Sequence, residues 1–389
     1  MKPPSLSRTA ARIRPPVFSD LQSRIDRLAA SGQEVVPLQI GDTHLAPPEA
    51  ARKVLAAIDG EDASLFRYGP TAGVAALRAA FAKRIARGGV EVDPATEIHV
   101  GNGGTHALFC AARAVLDDGD EVLLASPWWP LAPGVFTSCG AVPVEVPLTQ
   151  HLYVDATLDV GAAFEAKISP RTKALYFISP NNPDGKVLAR RDLEAIADVA
   201  RRHDLWVLAD EVYADSVYDG REHLSIATLP GMRERTVTLH SLSKSHALAG
   251  LRIGFVVAPE PVIAAARRVS THSAFNVSVA MQRAALAALD DDAFPRAACA
   301  TYREARDRAA RALEGSGIRF HVAEGATYLF VDFGQPVLPV LERAVDRGVL
   351  LAPGDAFGSY PTHARLCFTA APADVVVRGI ERLRAAVGA

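Results

Sequence analysis

The sequence predicts an α/β protein with a mostly parallel central sheet and a second, smaller α+β domain. Short β-branched runs alternate with longer Ala-, Leu- and Arg-rich segments of helical period over roughly 250 residues, which is typical of parallel strands joined by helices. From about Asp290 onward the strands become fewer and the helices longer. At 389 residues the chain is also longer than one hydrophobic core usually supports. These three observations predict two domains.

The first region, residues 46–289, is predicted to form the large domain. Within it, the segment 190–202 places Leu193, Ile196 and Ala200 on one face, the spacing of an amphipathic helix. A second helix is predicted at 105–116. Strands are predicted at 97–100, 122–124, 174–178, 205–209, 237–240 and 253–257.

The second region, residues 290–389, is predicted to form the small domain together with residues 1–45. A long Ala- and Arg-rich segment predicts a helix at 294–313. It is followed by predicted strands at 319–322 and 328–333, a helix, a short strand around Leu350, a strand at 366–369 and a terminal helix.

Composition and charge exclude several classes of protein. The chain is 49% hydrophobic and 22% charged, which excludes a disordered or collagen-like protein. Its 42 basic and 44 acidic residues give a net charge of −2, so no electrostatic footprint for nucleic acid exists. The uncharged stretch 122–144 is long enough for a bilayer, but its four prolines would break a helix. We therefore expect a strand followed by a loop there, and no membrane partner.

The N-terminus and the cysteines predict a cytoplasmic protein. Basic residues from Lys2 to Arg14 are not followed by an apolar run, so no secretory signal is expected. The four cysteines are far apart and form no Cys-x-x-Cys pair. This spacing argues against disulfides and against a metal site, and favours a reducing compartment.

The first candidate for chemistry is the turn 101–106, which reads Gly-Asn-Gly-Gly-Thr-His between a predicted strand and a predicted helix. A dinucleotide-binding fingerprint would need a third glycine where His106 stands, so that interpretation fails. A glycine-rich turn at a helix N-terminus still favours a phosphate, because free N–H groups and the helix dipole point at it. The alternative is a tight turn without a ligand.

The second and third candidates follow two other strands. Lys244 lies among small hydroxyl residues just after a strand, where a lysine that forms a Schiff base is expected, and Arg252 would suit a phosphate. Asp210 ends a strand and Tyr213 follows it, at the sheet edge where α/β proteins bind ligands. The alternatives are a surface loop with two ordinary cations and a helix-capping aspartate. The turn 179–185 alone is only a turn sequence.

The combination of motifs resembles the fold-type I, class I/II aminotransferases, which depend on pyridoxal 5′-phosphate (PLP). The resemblance extends from Gly41 to Arg365. In chain order the motifs are Y-x-x-x-x-G from Tyr68, then G-G-T, N-P-x-G, D-E-V-Y, S-x-S-K, and R-[LI]-x-F from Arg365. The resemblance implies the PLP-dependent transferase fold and a PLP cofactor.

The resemblance also implies a role for each matching residue. Lys244 would bind PLP as a Schiff base and then act as the general base. Asp210 would pair with the protonated pyridine nitrogen, so that the ring accepts electrons. Tyr213 and Asn182 would donate hydrogen bonds to the ring oxygen O3′ and keep the imine pKa low. Trp129 would stack on the ring, and the phosphate would contact Gly104, Thr105, Ser241, Ser243 and Arg252.

Two further residues would complete the site. Arg365 would bind the substrate α-carboxylate through two parallel hydrogen bonds, with Gly41 and Asn182 as further substrate contacts. Tyr68 matches the tyrosine that reaches the phosphate of the neighbouring subunit, which implies a homodimer with shared active sites. Without the resemblance, Arg365 would be interpreted as a surface arginine of an edge strand.

Four departures from the family pattern concern the substrate. Asp184 stands where the family usually has Thr, and His246, Trp128 and His44 also differ. The three last residues could lie near the side-chain pocket or could simply be packing residues. No clear second arginine is available for a side-chain carboxylate, so the donor is expected to be neutral, aromatic or basic rather than aspartate.

The expected activity is transfer of an amino group between an L-amino acid and a 2-oxo acid by a ping-pong mechanism. The alternative is a PLP-dependent lyase, cyclase or oxidase, because the same lysine and aspartate support those reactions and fold does not decide between them. A PLP-sensing regulator would need a DNA-binding module, for which the first forty-odd residues are too few and carry no helix-turn-helix pattern.

Overall fold

A computed structural model describes the protein over residues 4–15, 21–30, 32–58 and 61–388. The N-terminal part contains two helices and a short strand: α1 (Arg8–Arg12), α2 (Gln22–Ala30) and β1 (Val36–Pro37). Within the described residues, no helix combines the length and the apolar character needed to cross a membrane.

The central part alternates helices and strands. Its elements are α3 (Glu49–Ala56), α4 (Ala75–Ala86), β2 (Ile98–Asn102), α5 (Gly103–Val115), β3 (Glu121–Ser126), α6 (Ala132–Ser138), β4 (Val142–Pro147), α7 (Thr149–Val154), α8 (Val160–Glu165), β5 (Thr172–Ile178), α9 (Arg190–Arg202), β6 (Trp206–Asp210), β7 (Thr236–Ser241), α10 (Leu242–Ser245), β8 (Ile253–Val257), α11 (Glu260–Ser273) and α12 (Val279–Leu289).

The C-terminal part is an α+β arrangement. Its elements are α13 (Ala293–Leu313), β9 (Arg319–Phe320), β10 (Tyr328–Asp332), α14 (Val337–Asp346), β11 (Val349–Leu350), β12 (Ala352–Pro353), β13 (His363–Cys367) and α15 (Ala373–Val387).

The central part is organised around a seven-stranded sheet with the order β2-β8-β7-β6-β5-β3-β4. All neighbouring strands are parallel except that β8 runs antiparallel to both β2 and β7. The six strands predicted for the large domain are all present in this sheet. The α/β prediction with a mostly parallel sheet is therefore confirmed.

The prediction for the uncharged stretch 122–144 was wrong after its first strand. Instead of a loop, the structure contains α6 and the beginning of β4. Proline is accepted in both elements: Pro133 lies in the first turn of α6, where its missing N–H costs nothing, and β4 is an edge strand of the sheet.

Alternating side chains bury both faces of the sheet. Leu124, Tyr176 and Leu208 pack on one face under α5 and α6. Their chain neighbours Leu123 and Leu175 pack on the other face under α8 and α9. Because successive side chains of a strand point to opposite faces, these runs read as continuously apolar in the sequence.

A separate core joins the two ends of the chain. The four-stranded antiparallel sheet β12-β13-β10-β9 lies there, and β1 pairs in parallel with β11. Val36 and Leu38 share one apolar cluster with Leu341 and Ile380. On this packing we propose a large domain of residues 46–289 and a small domain of residues 1–45 and 290–389, of which 1–3, 16–20, 31, 59–60 and 389 lie outside the described residues.

Candidate active site

A cavity of about 330 Å³ lies at the carboxyl ends of β5, β6 and β7. Ile178, Asp210 and Ser241, the last residues of these strands, all line it. The cavity is therefore at the edge of the sheet where open α/β proteins bind ligands. Twelve of the thirteen predicted site residues line it: Gly41, Gly104, Thr105, Trp129, Asn182, Asp210, Tyr213, Ser241, Ser243, Lys244, Arg252 and Arg365.

Tyr68 is the predicted site residue that the structure leaves outside the cavity of its own chain. Its side chain is 86% exposed, and its ring packs edge-on against Phe275 with the centroids 4.8 Å apart. Phe66 is also largely exposed nearby in the sequence. Tyr68 and Phe275 therefore form an exposed aromatic pair outside the cavity.

Lys244 is held at the cavity by the short helix α10. Ser241 caps this helix, its hydroxyl oxygen accepting a hydrogen bond from the Ser243 N–H at 3.1 Å. The half-buried Lys244 donates from Nζ to the carbonyl oxygen of Gly41. Tyr302 donates from Oη to the Lys244 carbonyl at 3.2 Å, or to Thr43 Oγ1 at 2.8 Å. The lysine is thus fixed against the turn that contains Gly41.

Asp210 is a buried carboxyl group with neutral partners. It accepts hydrogen bonds from the Val212 N–H at 3.2 Å and from Tyr176 Oη at 3.1 Å. Burial, which penalises the charged form, raises the pKa of Asp210 to about 7. A cationic group in the cavity would reverse this effect. The position therefore suits a ligand that carries a positive charge next to Asp210.

Arg365 lies on β13 and points its guanidinium into the cavity wall. It donates to Asn182 Oδ1 at 3.0 Å and to the carbonyl oxygen of Gln39 at 2.7 Å, while its buried Nε has no hydrogen-bond partner among the described residues. The guanidinium also lies 4.4 Å from the centroid of the Tyr328 ring. A buried guanidinium with no carboxylate partner among the described residues suits an anionic substrate group.

The opposite end of the cavity suits a phosphate. Helix α5 begins at Gly103, whose φ of +77° needs glycine, and Gly104 and Thr105 form its first turn. A Cβ atom on Gly103 would overlap Arg252 Nη2, so the guanidinium lies directly over this turn. Free N–H groups of a helix N-terminus, a guanidinium and the Ser241 and Ser243 hydroxyls make a site for a dianion.

None of the four departures lines the cavity in the part of the chain that the structure describes. His44 bonds through its N–H and its ring to the Thr369 carbonyl, at 2.9 and 3.1 Å. Trp128 is buried and donates from Nε1 to the Ala356 carbonyl at 3.2 Å. His246 is buried against Phe294. Trp128 and His246 are therefore packing residues in this chain, whereas His44 is exposed.

Asp184 is buried and makes four hydrogen bonds. One oxygen accepts from Asn181 Nδ2 at 2.8 Å and from the Lys186 N–H at 3.2 Å. The other accepts from Thr149 Oγ1 at 2.6 Å and from Gln150 Nε2 at 2.9 Å. The aspartate thus stabilises the turn that carries Asn182.

Sequence reasoning missed several residues of the cavity wall, of which Tyr328 and Gln39 are polar. Tyr328 Oη lies 2.7 Å from Tyr213 Oη, and both rings are buried. Gln39 has a buried Oε1 without a hydrogen-bond partner in the part of the chain that the structure describes. No motif contains these residues, and a tyrosine within an apolar strand is ordinarily a core residue. The missed apolar lining includes Ile40, Pro130, Leu131, Ile178, Val212 and Ala249.

Fold and cavity together suit an enzyme whose cofactor carries a phosphate group and lies next to a lysine. Residues 33–383 match the family model for aminotransferase class I and II, and the chain belongs to this family. The family uses PLP, and the residues around the cavity fit it: a dianion site, a buried carboxyl group suited to a cationic ring nitrogen, and a lysine. The prediction of a fold-type I aminotransferase is thereby confirmed.

Three relatives show how close the similarity is. The chain is 36% identical to the arginine–pyruvate transaminase AruH of Pseudomonas aeruginosa, over 89% of this chain and 88% of that protein. It is 34% identical to the aspartate/prephenate aminotransferase of Thermus thermophilus, over 98% and 99%. A solved double mutant of Thermus thermophilus aspartate aminotransferase superimposes with a TM-score of 0.90 at 31% identity, covering 98% of this chain and all of that one.

Proposed function

We propose that the protein is a PLP-dependent aminotransferase that moves an amino group between an L-amino acid and a 2-oxo acid by a ping-pong mechanism. One observation carries the proposal: a single cavity combines Lys244, the buried Asp210, the buried Arg365 and the N-terminus of α5. Lysine, acid, anion site and phosphate site are the parts that this reaction needs.

We assign to the cavity residues the roles that the family resemblance implies, and their positions in the cavity support these roles. Gly104, Thr105, Ser241, Ser243 and Arg252 would bind the phosphate, Trp129 would cover the ring, and Asn182 and Tyr213 would donate to O3′. Asp210 would stabilise a proton on the ring nitrogen. When bound, PLP supplies a carbonyl carbon that takes the amino group and a ring that accepts electrons.

The side chains of the protein would bind the substrate and transfer one proton. Arg365 would bind the α-carboxylate through two hydrogen bonds, with Gly41 and Asn182 beside it, and so orient the Cα–H bond of the donor. Lys244 Nζ would take the proton from that Cα as a general base. The donor would leave as a 2-oxo acid before the acceptor binds, and the acceptor would receive the amino group by the same steps in reverse.

The wall of the cavity supports a donor that is neutral, aromatic or basic rather than aspartate. Arg252 and Arg365 are the two arginines that line the cavity in the described part of the chain, and both have assigned roles. The remaining wall is largely apolar around Ile40, Trp129 and Leu131. One relative is named for arginine and another for aspartate, so sequence similarity does not favour one donor. The support for a donor other than aspartate comes from the cavity wall.

We further propose a cytoplasmic homodimer whose subunits complete each other's active sites. The exposed aromatic residues Phe66, Tyr68 and Phe275 support a second copy at this surface, because large apolar side chains are seldom left in water together. The four cysteines are unpaired, which supports a reducing compartment. Light scattering that gives the monomer mass for a fully active enzyme would contradict the dimer.

The half-reaction tests the activity. Single amino acids are added to the holoenzyme without an acceptor, the absorbance of PLP is followed, and products are identified by mass spectrometry. One equivalent of 2-oxo acid per site, with conversion of PLP to pyridoxamine phosphate, is expected. Continuous turnover with release of ammonia or consumption of oxygen would instead establish the lyase, cyclase or oxidase class. Aspartate as by far the best donor would contradict the proposed specificity.

A further inference from the structure

Two phenol groups meet at the wall of the cavity. Tyr213 Oη and Tyr328 Oη are 2.7 Å apart, a short hydrogen bond between two side chains that are 3% and 1% exposed. Burial raises the pKa of Tyr213 well above its usual value, and the neighbouring Tyr328 raises it further. Tyr213 therefore stays protonated, and the pair shares one hydrogen bond whose direction matters.

A phenol hydroxyl has one proton to donate. If Tyr213 donated to Tyr328, it would have no proton left for a ligand in the cavity. If Tyr328 donates instead, Tyr213 accepts from it and its own proton is directed elsewhere, toward the cavity that both residues line. The direction of the bond between the two tyrosines therefore decides whether Tyr213 is a donor to the ligand.

We propose that Tyr328 is a positioning residue that donates to Tyr213 Oη and thereby directs the Tyr213 proton toward O3′ of PLP. The inference rests on the proposed PLP-dependent function, and concerns a residue that no motif contains. Tyr328 contacts the ligand only through Tyr213 in this proposal, which distinguishes it from the groups that bind PLP directly.

The surroundings of Tyr328 fix its hydroxyl and favour it as the donor. A Cβ atom on Gly41 would overlap Tyr328 Oη, so the hydroxyl lies directly against this glycine. Tyr328 starts β10, which pairs with the strand β13 that carries Arg365. The Arg365 guanidinium lies on the face of the Tyr328 ring, 4.4 Å from its centroid. A cation there stabilises the partial negative charge that donation leaves on a phenol oxygen.

The test is a pH titration of the bound chromophore in the holoenzyme. Hydrogen bonds to O3′ favour the unprotonated imine, so a Tyr213 hydroxyl that no longer accepts from Tyr328, and is therefore a weaker and less well oriented donor, raises the chromophore pKa. Tyr328→Phe is expected to raise it by about one pH unit, and Tyr213→Phe by at least as much. Because Tyr328 acts through Tyr213, the double variant is expected to show no larger shift than Tyr213→Phe alone.

Two further variants make the result specific. Tyr360→Phe is the matched control: Tyr360 Oη lies 3.4 Å from Ser126 Oγ and its ring packs on Phe330, away from the cavity lining, so no shift is expected. Gly41→Ala displaces the Tyr328 hydroxyl while keeping the tyrosine, and is expected to raise the pKa as well. It replaces Tyr328→Phe as the test if that variant fails to fold.

Three outcomes separate the possibilities. An unchanged or lowered chromophore pKa in Tyr328→Phe would overturn the inference, because a lowered pKa means that Tyr213 had been donating to Tyr328. Additive shifts in the double variant would also overturn it, since Tyr328 would then act independently of Tyr213. A wild-type protein that binds no PLP would refute the proposed function itself, whatever the variants do.

Discussion

The two sides of the active-site cavity come from parts of the molecule with different sequence character. The inner side consists of strand ends and turns of the seven-stranded sheet, where Asp210, Ser241 and Lys244 lie within short motifs. The outer side consists of Gly41, Tyr328 and Arg365, which come from the turn after β1 and from the four-stranded sheet. The inner side would bind the cofactor, and the outer side would bind the substrate through Gly41 and Arg365. Substitutions on the inner side should therefore mainly lower kcat, whereas substitutions on the outer side should mainly raise KM.

The largest effect is expected on the inner side, from Lys244→Ala. Without the amine, both covalent attachment and removal of the Cα proton are lost, so kcat of the half-reaction should fall by about 10⁴-fold or more. The measurement is a single-turnover assay, combined with the mass of the denatured holoenzyme after reduction with borohydride.

Lys53→Ala is the control for this variant. Lys53 pairs with Glu49 on the exposed face of α3, so its loss should leave both readouts unchanged. Substantial transamination by Lys244→Ala would show that Lys244 is not the general base. It would also contradict the expectation that inner-side variants mainly lower kcat.

Asp210→Asn is expected to have two effects of opposite sign. Loss of the anion beside the ring nitrogen should lower kcat by about 10²-fold to 10⁴-fold. Stability of the PLP-free protein should instead improve above neutral pH. The folded-state pKa of about 7 exceeds the ordinary value of 3.8, so the carboxyl group costs stability as pH rises through this range, by up to about 4 kcal/mol at alkaline pH.

Chemical unfolding of the PLP-free wild type and variant at pH 5 and pH 8 measures this second effect. The free energy of unfolding should fall more between the two pH values in the wild type than in Asp210→Asn. Asp198→Asn, on the exposed side of α9, is the control and should behave like the wild type. If the free energy of unfolding depended on pH in the same way in the wild type and in Asp210→Asn, burial would not raise the pKa of Asp210.

Arg365→Lys tests the outer side and should mainly weaken binding. An ammonium group cannot make the two parallel hydrogen bonds of a guanidinium, so kcat/KM for the donor should fall by about 10²-fold, chiefly through KM. Arg319→Lys is the control, because Arg319 is an exposed arginine of β9 that pairs with Asp332. A fall in kcat at unchanged KM would break the division of roles between the two sides.

The contrast also explains what the sequence could and could not predict. Asp210 ends the buried strand β6, and Lys244 lies three residues after the end of the buried strand β7, so strand, turn and site residue are read together from one segment. Tyr328 meets Tyr213 across 115 positions of the sequence, and only the packing of the two sheets brings them together. Arg365 was found through a family motif, since a buried arginine in a short strand has no local signal of its own. Tyr328 had no such motif and was missed.

The turn carrying Asn182 lies between the two sides, because Asn182 lines the cavity and accepts from Arg365. Its neighbour Asn181 donates to the Pro127 carbonyl at 3.0 Å as well as to Asp184, which links the turn to the segment of Trp128 and Trp129. Asp184 thus supports the position of two cavity residues without lining the cavity itself.

Asp184→Asn is therefore expected to have the smallest effect on activity and a clear one on stability. Both carboxylate oxygens accept from donors, so an amide group in place of one oxygen faces donors and leaves buried groups unpaired. Such a loss should lower the free energy of unfolding by about 1–3 kcal/mol. Asp155→Asn is the matched control, because Asp155 is exposed and, among the described residues, accepts hydrogen bonds from Thr157 alone. A fall in kcat/KM comparable to that of Arg365→Lys, at unchanged stability, would instead assign Asp184 to the substrate site.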